Sequence, residues 1–166
     1  AGEVVGQSAN AANETHAFLY SNGKMQDLGF PSGDNSSSAI AISSNGLIVG
    51  ELGSADGTSV AVYSNGAWTS VAGGSGVFPT GINSLGQVVG WTIIPGVYSG
   101  PKAKRRPSVS IGLVTVNGTL TNLNTLIPAG SEFSIIMAEA INNSGQILCN
   151  AEINNEETHA VLLTPQ

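Results

Sequence analysis

Short runs of β-branched and other apolar residues alternate with small polar ones along most of this chain, and run after run stops at a turn bearing glycine. Ala39-Ile40-Ala41-Ile42 stops at Ser43-Ser44-Asn45-Gly46, and Leu47 to Leu52 follows on the far side. Two such runs around a short Asn-Gly connection predict a β-hairpin. A second hairpin is predicted from Ser59 to Tyr63, the turn Ser64-Asn65-Gly66 and Ala67 to Val71, with a polar loop from Gly53 to Thr58 between the two. The stretch from Ala72 to Gly76 is Gly-rich and reads as an unpatterned link. No segment keeps a 3.6-residue apolar period over the length of a helix; the most that is expected is one turn at Met137-Ala138-Glu139-Ala140.

These hairpins repeat. Ile82-Asn83-Ser84-Leu85-Gly86-Gln87-Val88-Val89-Gly90 recurs as Ile42 to Gly50 and as Ile141 to Cys149, and Gly2-Glu3-Val4-Val5-Gly6 corresponds to the end of the same phrase. A period of about 40–50 residues marks a propeller, solenoid or array, because one such unit cannot bury its own apolar face and must stack on its neighbours. We place the units at approximately 1–38, 39–78, 79–137 and 138–166 of a single repeat domain, with 3, 4, 4 and 3 short strands. The expected fold is all-β, a β-propeller-like array of about four blade units of short antiparallel strands. Glycine weakens a strand interior, so Gly6, Gly50 and Gly90 at one repeat position predict close backbone approach there. Val5, Val49, Val89 and Leu148 share a second position, Ile42, Ile82 and Ile141 a third, and Met25, Trp68 and Leu120 a fourth; each set is expected to be buried between adjacent sheets. Three strands at each terminus leave incomplete sheets, which predicts that the terminal units meet edge to edge or pair with a second copy of the chain as a homo-oligomer.

Charge narrows the partners. Charged residues are only 10% of the chain, against about 25% in ordinary soluble domains. Eleven acidic against five basic residues, net −6, argue against a nucleic-acid surface. Four of the five basic residues nevertheless cluster at Lys102, Lys104, Arg105 and Arg106, in an insertion from Thr92 to Pro107. Trp91 and Tyr98 lie beside them in sequence, so an anionic ligand would meet charge and a stacking surface together; a solvated insertion or a proteolytic site explains the same residues more simply. No apolar stretch is long enough to span a membrane as a helix. The chain opens in mid-repeat, as a mature protein or a fragment does.

The run His16-Ala17-Phe18-Leu19-Tyr20, preceded by Gly2-Glu3-Val4-Val5-Gly6-Gln7-Ser8 and followed by Asn22-Gly23-Lys24-Met25-Gln26-Asp27-Leu28-Gly29, resembles the HAF family of extracellular repeats from bacteria. The resemblance extends over nearly the whole chain in four copies of falling fidelity. At the triplet that names the family the later copies have Ser59-Val60-Ala61, Ile111-Gly112-Leu113 and His159-Ala160-Val161. It implies a secreted protein, extracellular or periplasmic, and carries no assigned activity and no catalytic residues.

The remaining candidates have bland readings. His16 and His159 share a repeat position, but lack metal-ligand spacing and are expected to be structural imidazoles anchoring their strands. Cys149 stands where other copies have glycine and is expected to be a small buried filler. Asp34-Asn35-Ser36 and Asp56-Gly57-Thr58 fit no established Ca²⁺ loop, and turn chemistry accounts for them. The Glu156-Glu157 pair lies in a polar loop that sequence cannot place against a partner. No cofactor and no catalytic or metal residue is therefore expected. The sequence reads as a binding or scaffold module, with carbohydrate or a surface protein as partner. The alternatives are a polysaccharide-acting enzyme with its site at the mouth of the propeller, which converging carboxylates or histidines would mark, and a purely structural surface repeat.

Overall fold

The computed structural model describes residues 2–96, 108–153 and 157–165. Among the described residues there are fourteen strands, one short 3-10 turn at Leu123–Thr125 and no α-helix. They run β1 (Val4–Ala9), β2 (Thr15–Ser21), β3 (Lys24–Asp27), β4 (Ser36–Ile42), β5 (Ile48–Ser54), β6 (Gly57–Ser64), β7 (Ala67–Ser75), β8 (Val77–Ile82), β9 (Val88–Ile94), β10 (Val109–Val116), β11 (Thr119–Asn122), β12 (Phe133–Ile141), β13 (Ile147–Ile153) and β14 (Glu157–Leu163). The fold is all-β. Consecutive strands pair antiparallel as β1-β2-β3, β4 to β7, β8 to β11 and β12-β13-β14. The two middle groups join through one parallel bridge, Thr119 opposite Ala72, into an eight-stranded sheet. That sheet curls until its edge strands β4 and β8 lie against each other, a nearly closed, barrel-like arrangement. The sheets at the two termini are separate three-stranded sheets, so the terminal strands do not meet edge to edge within the chain.

The core consists of three apolar layers, one between each successive pair of strand groups. Ala17, Leu28, Ala39 and Ile48 form the first, with Val5, Leu19, Tyr63 and Trp68 packed around them. Val49, Val60, Val77, Ile82, Val88 and Leu113 form the second. Val89, Val114, Leu123, Ile135, Ala138, Ile147, Cys149 and Ala151 form the third. Side chains alternate across a strand, so Ile48 faces back into the first layer while Val49 faces forward into the second, and Val88 and Val89 divide the second and third in the same way. Each such fully buried side chain contributes about 1.5–3 kcal/mol.

At the ends the pattern loses its cover. Leu148 has the repeat position of Val49 and Val89 yet is 44% exposed, and Met25 has the position of Trp68 yet is 63% exposed. Burial of these two, expected from the repeat, is therefore corrected: Leu148 faces forward from the fourth group and Met25 backward from the first, where no described sheet packs. Val4, at the position of Ile48, is 53% exposed for the same reason.

The first strand of groups two, three and four carries a β-bulge at one repeat position. Ala39 and Ala41 face Gly50 and Val49 with Ile40 skipped; Pro79 and Gly81 face Gly90 and Val89 with Thr80 skipped; Ala138 and Ala140 face Cys149 and Leu148 with Glu139 skipped. Beside the bulges of groups two and three a Cβ on Gly50 or Gly90 would run into the backbone oxygen of Ser38 or Phe78, whereas in group four Cys149 occupies that position. Two local expectations change. Residues 72–75 are not an unpatterned link but the end of β7, which swings back so that Ser75 faces Ser59, and Gly74 approaches Val60 with no room for a side chain. Met137 to Ala140 lie inside β12 and form no helical turn.

The repeated phrase itself builds the turns at one end of the molecule. Gly46, Gly86 and Gly145 each take a positive φ and donate to the residue three before, Ser43, Asn83 and Asn142. The Asn83 side-chain oxygen accepts from the backbone N–H of Leu85 and Gln87, both at 3.0 Å, while its amide donates to Gln87 Oε1 at 2.7 Å. Asn142 repeats this with Ser144 and Gln146, and the Ser43 hydroxyl accepts from Leu47. The three turns then bond one another in a closed ring. Asn45 donates to the Ser84 carbonyl at 3.0 Å, Ser84 N–H donates to Asn143 Oδ1 at 2.9 Å, and Asn143 donates to Ser44 Oγ at 3.1 Å. Asn83, itself buried, also donates to the Asn142 carbonyl at 3.1 Å. Asn83→Ala strands these backbone groups, and we expect urea denaturation to show a loss of about 1–3 kcal/mol; stability within error of wild type would contradict the role assigned to the ring.

Candidate functional site

Three places gather polar or aromatic groups with room beside them. The first is on β2 and β3. His16 Nδ1 lies 2.8 Å from Asp27 Oδ1, and Nε2 lies 3.3 Å from Asn10 Nδ2 and 3.7 Å from Glu14 Oε2. In the neutral tautomer with its proton on Nδ1, the ring donates to Asp27 and accepts from Asn10. Asn10 is held in turn because its oxygen accepts from the backbone of Ala12 and Glu14 at 2.9 Å. Phe30 closes the remaining side of the imidazole edge-on at 4.9 Å. A shallow groove of about 260 Å³ lined by Ser8, Phe18 and Met25 among others adjoins the pair. The backbone N–H of Gly29 holds the Asp27 carboxyl below its usual value, helped by the His16 bond against the opposing effect of burial. With both ring nitrogens engaged, the imidazole ties the 9–15 loop to β3.

His159 is not brought to His16; it stands in the other terminal sheet, beside Glu157 at 3.4 Å. Among the described residues no group of three or more potential metal ligands converges. The groups that do converge at one end of the molecule are the Asn and Ser side chains of the three turns. Asp34 and Asp56 sit in turns closed by Asp34 N–H to Pro31 O and Asp56 N–H to Ser54 Oγ. Glu156 lies outside the described residues.

The second place is the aromatic pair on β8 and β9. Phe78 and Trp91 face each other across the strands and stack, centroids 4.6 Å apart at 27°. Phe78 is exposed and Trp91 half-buried, and Ile93, two residues beyond Trp91 on the same face, is exposed as well. Lys102, Lys104, Arg105, Arg106 and Tyr98 of that insertion lie outside the described residues; Trp91 alone of the sequence-derived ligand set is placed.

The third was not foreseen. Glu51 on β5 borders a small polar cleft of about 140 Å³ with Gln7, Thr15, Ser36, Ser37 and Ser38, and burial raises its pKa. Nothing in the sequence around Glu51 distinguishes it, because its setting is made by Ser36 to Ser38 on β4, Thr58 on β6 and Gln7 and Thr15 from the first group. Compared with known proteins, the chain matches no family model, no curated protein and no solved structure.

Two outcomes are expected. The folded protein holds the Asp27 carboxyl below its ordinary pKa, so its stabilisation is complete above the unfolded-state value and is lost as pH falls through the depressed one. Thermal melts of Asp27→Asn should therefore lie below wild type at neutral pH and converge with it in strong acid; a constant gap would contradict this. Burial, with Glu139 nearby, pushes the Cys149 thiol up to about 11. A thiol reagent at mildly alkaline pH should leave native Cys149 unmodified and label it on unfolding; labelling of the native chain at the rate of a free thiol would contradict its burial.

Proposed function

We propose that the chain is a propeller-type repeat module of the HAF kind, exported from a bacterial cell, that binds or scaffolds rather than catalyses. The observation that carries this reading is the division of labour among its residues. The repeated phrase is consumed by turn bonds and inter-sheet packing, whereas the stack of exposed Phe78 on half-buried Trp91 belongs to one copy alone. An aromatic stack with one ring open to solvent, followed further along the chain by four basic residues, suits a sugar ring that carries a carboxylate or sulfate. The proposed partner is therefore an anionic surface carbohydrate. Self-association through the incomplete terminal sheets belongs to the same reading. Light scattering at micromolar concentration supports it with a mass above the chain's 16.7 kDa and opposes it with a monomer.

A glycan array tests the ligand. Wild type should bind acidic glycans, Trp91→Ala should lose that signal at unchanged melting temperature, and replacement of Lys102, Lys104, Arg105 and Arg106 by Ser should weaken it and remove its salt dependence. No binding to any acidic glycan, or unchanged binding by Trp91→Ala, would overturn the reading. The raised pKa of Glu51 beside a polar cleft favours one second reading, a polysaccharide-acting enzyme with Glu51 as proton donor. Hydrolysis of a polysaccharide that Glu51→Gln abolishes would establish it in place of the first.

A further inference from the structure

Between groups two and three the second apolar layer opens, beside the Asn83–Gln87 turn, into a cleft of about 730 Å³. Leu47, Val62 and Val71 of group two and Val116 of group three give it apolar walls, and none of its lining residues is charged. Group three departs from the repeat where the cleft opens. In group two Tyr63 and Trp68 are cross-strand partners that pack edge-on at 5.2 Å and fill the first layer, where Trp68 donates to the Leu28 and Gly29 carbonyls. At those positions group three has Thr115 and Leu120. Leu120 still packs against the second layer, but Thr115 is too short to fill the place of a tyrosine.

The backbone departs at the same place. In groups two and four the ladder between the central strand and the next runs on to Ile48 opposite Tyr63 and Ile147 opposite Leu163. In group three it stops one residue short, at Val89 opposite Val114, and the Val88 N–H donates instead to the Thr115 hydroxyl at 2.9 Å. Thr115 is 9% exposed and lines the cleft, yet among the described residues none accepts from its own O–H. Gln87, also on the cleft, has a second spare donor: its oxygen accepts from Asn83 at 2.7 Å, and no described residue accepts from its Nε2. Two donors that face a cleft without acceptors mark the place where a bound molecule would supply one.

We infer that this cleft binds an uncharged N-acylated sugar. The amide carbonyl is the acceptor that the Thr115 hydroxyl and the Gln87 amide lack, and the acyl methyl lies against the apolar walls. Ring hydroxyls meet the rim, where the side chains of Ser64, Thr69, Ser70 and Asn117 make no hydrogen bond to another described residue. A charged ligand would lose its water and find no counter-ion in the lining. The volume lies within the range of small-molecule sites, about 300–1,000 Å³. The cleft shares no residue with the Phe78–Trp91 stack, so the inference does not rest on the acidic-carbohydrate reading.

The test follows the amide resonances of the isotope-labelled full chain as N-acetylglucosamine is added to millimolar concentration. Those of Gln87, Val88, Thr115 and Asn117 should shift and saturate. Glucose, which has the ring without the acetamido group, should bind about tenfold more weakly or less. Thr115→Tyr places in group three the aromatic residue that group two has at Tyr63, and Gln87→Leu copies Leu47; each should weaken binding by about tenfold or more. Where a variant fails to fold, the comparison of the two sugars on the wild-type chain decides the matter. No saturable shift, shifts confined to the surroundings of Trp91, equal binding of glucose, or full binding by folded Thr115→Tyr would overturn the inference. The two readings fail separately, because this titration contains no acidic sugar.

Discussion

The structure depends on one constraint: no group of strands in this chain buries both of its faces by itself. A central strand such as β5 sends Ile48 back and Val49 forward, so each is buried only if a neighbouring group lies on that side. The three apolar layers are consequences of that alternation. So are the exposed positions at the ends, where Val4 and Leu148 repeat residues that are buried elsewhere and differ from them in that, among the described residues, no sheet packs on that side.

The same constraint accounts for the polar residues. Stacked groups must keep register, and the Asn-x-x-Gly-Gln phrase fixes it twice over. Within two of the turns the leading Asn side chain satisfies backbone N–H groups that the hairpin leaves open, as Asn83 does for Leu85 and Gln87, and in the third the Ser43 hydroxyl does so for Leu47. Between turns the ring through Asn45, Ser84 and Asn143 ties group to group. What identifies the repeat is thus structural, whereas the Phe78–Trp91 stack, the basic insertion and Glu51 do not repeat.

Much of this was legible in the residues. The β-branched runs and Asn-Gly turns announce an all-β chain, and turn glycines at 46, 86 and 145 follow from φ > 0 demands that few other residues meet. Other features depend on partners distant in sequence. Repeat position alone gives Leu148 the burial of Val89, because a sequence repeat does not say which copy lacks a neighbour. The path of β7 through Gly73 and Gly74 is set by its return to Ser59 on β6, and a glycine run in isolation reads as a link. Glu51 becomes chemically distinct only when Ser36 to Ser38 fold over it. His16 was readable as an anchor, but its partner Asp27 lies on the next strand and emerges only from the β2–β3 register, in which Phe18 faces Asp27.

The most direct test of the stacking account is a pair of substitutions at one repeat position, Val89→Asp and Leu148→Asp, compared by thermal and denaturant unfolding. Val89 is fully buried in the third layer, so the carboxylate there should cost more than about 4 kcal/mol or abolish folding. At Leu148 the same change should shift stability by less than about 1 kcal/mol, because the carboxylate stays in water. Equal destabilisation at the two sites, or a wild-type melting temperature for Val89→Asp, would contradict the account.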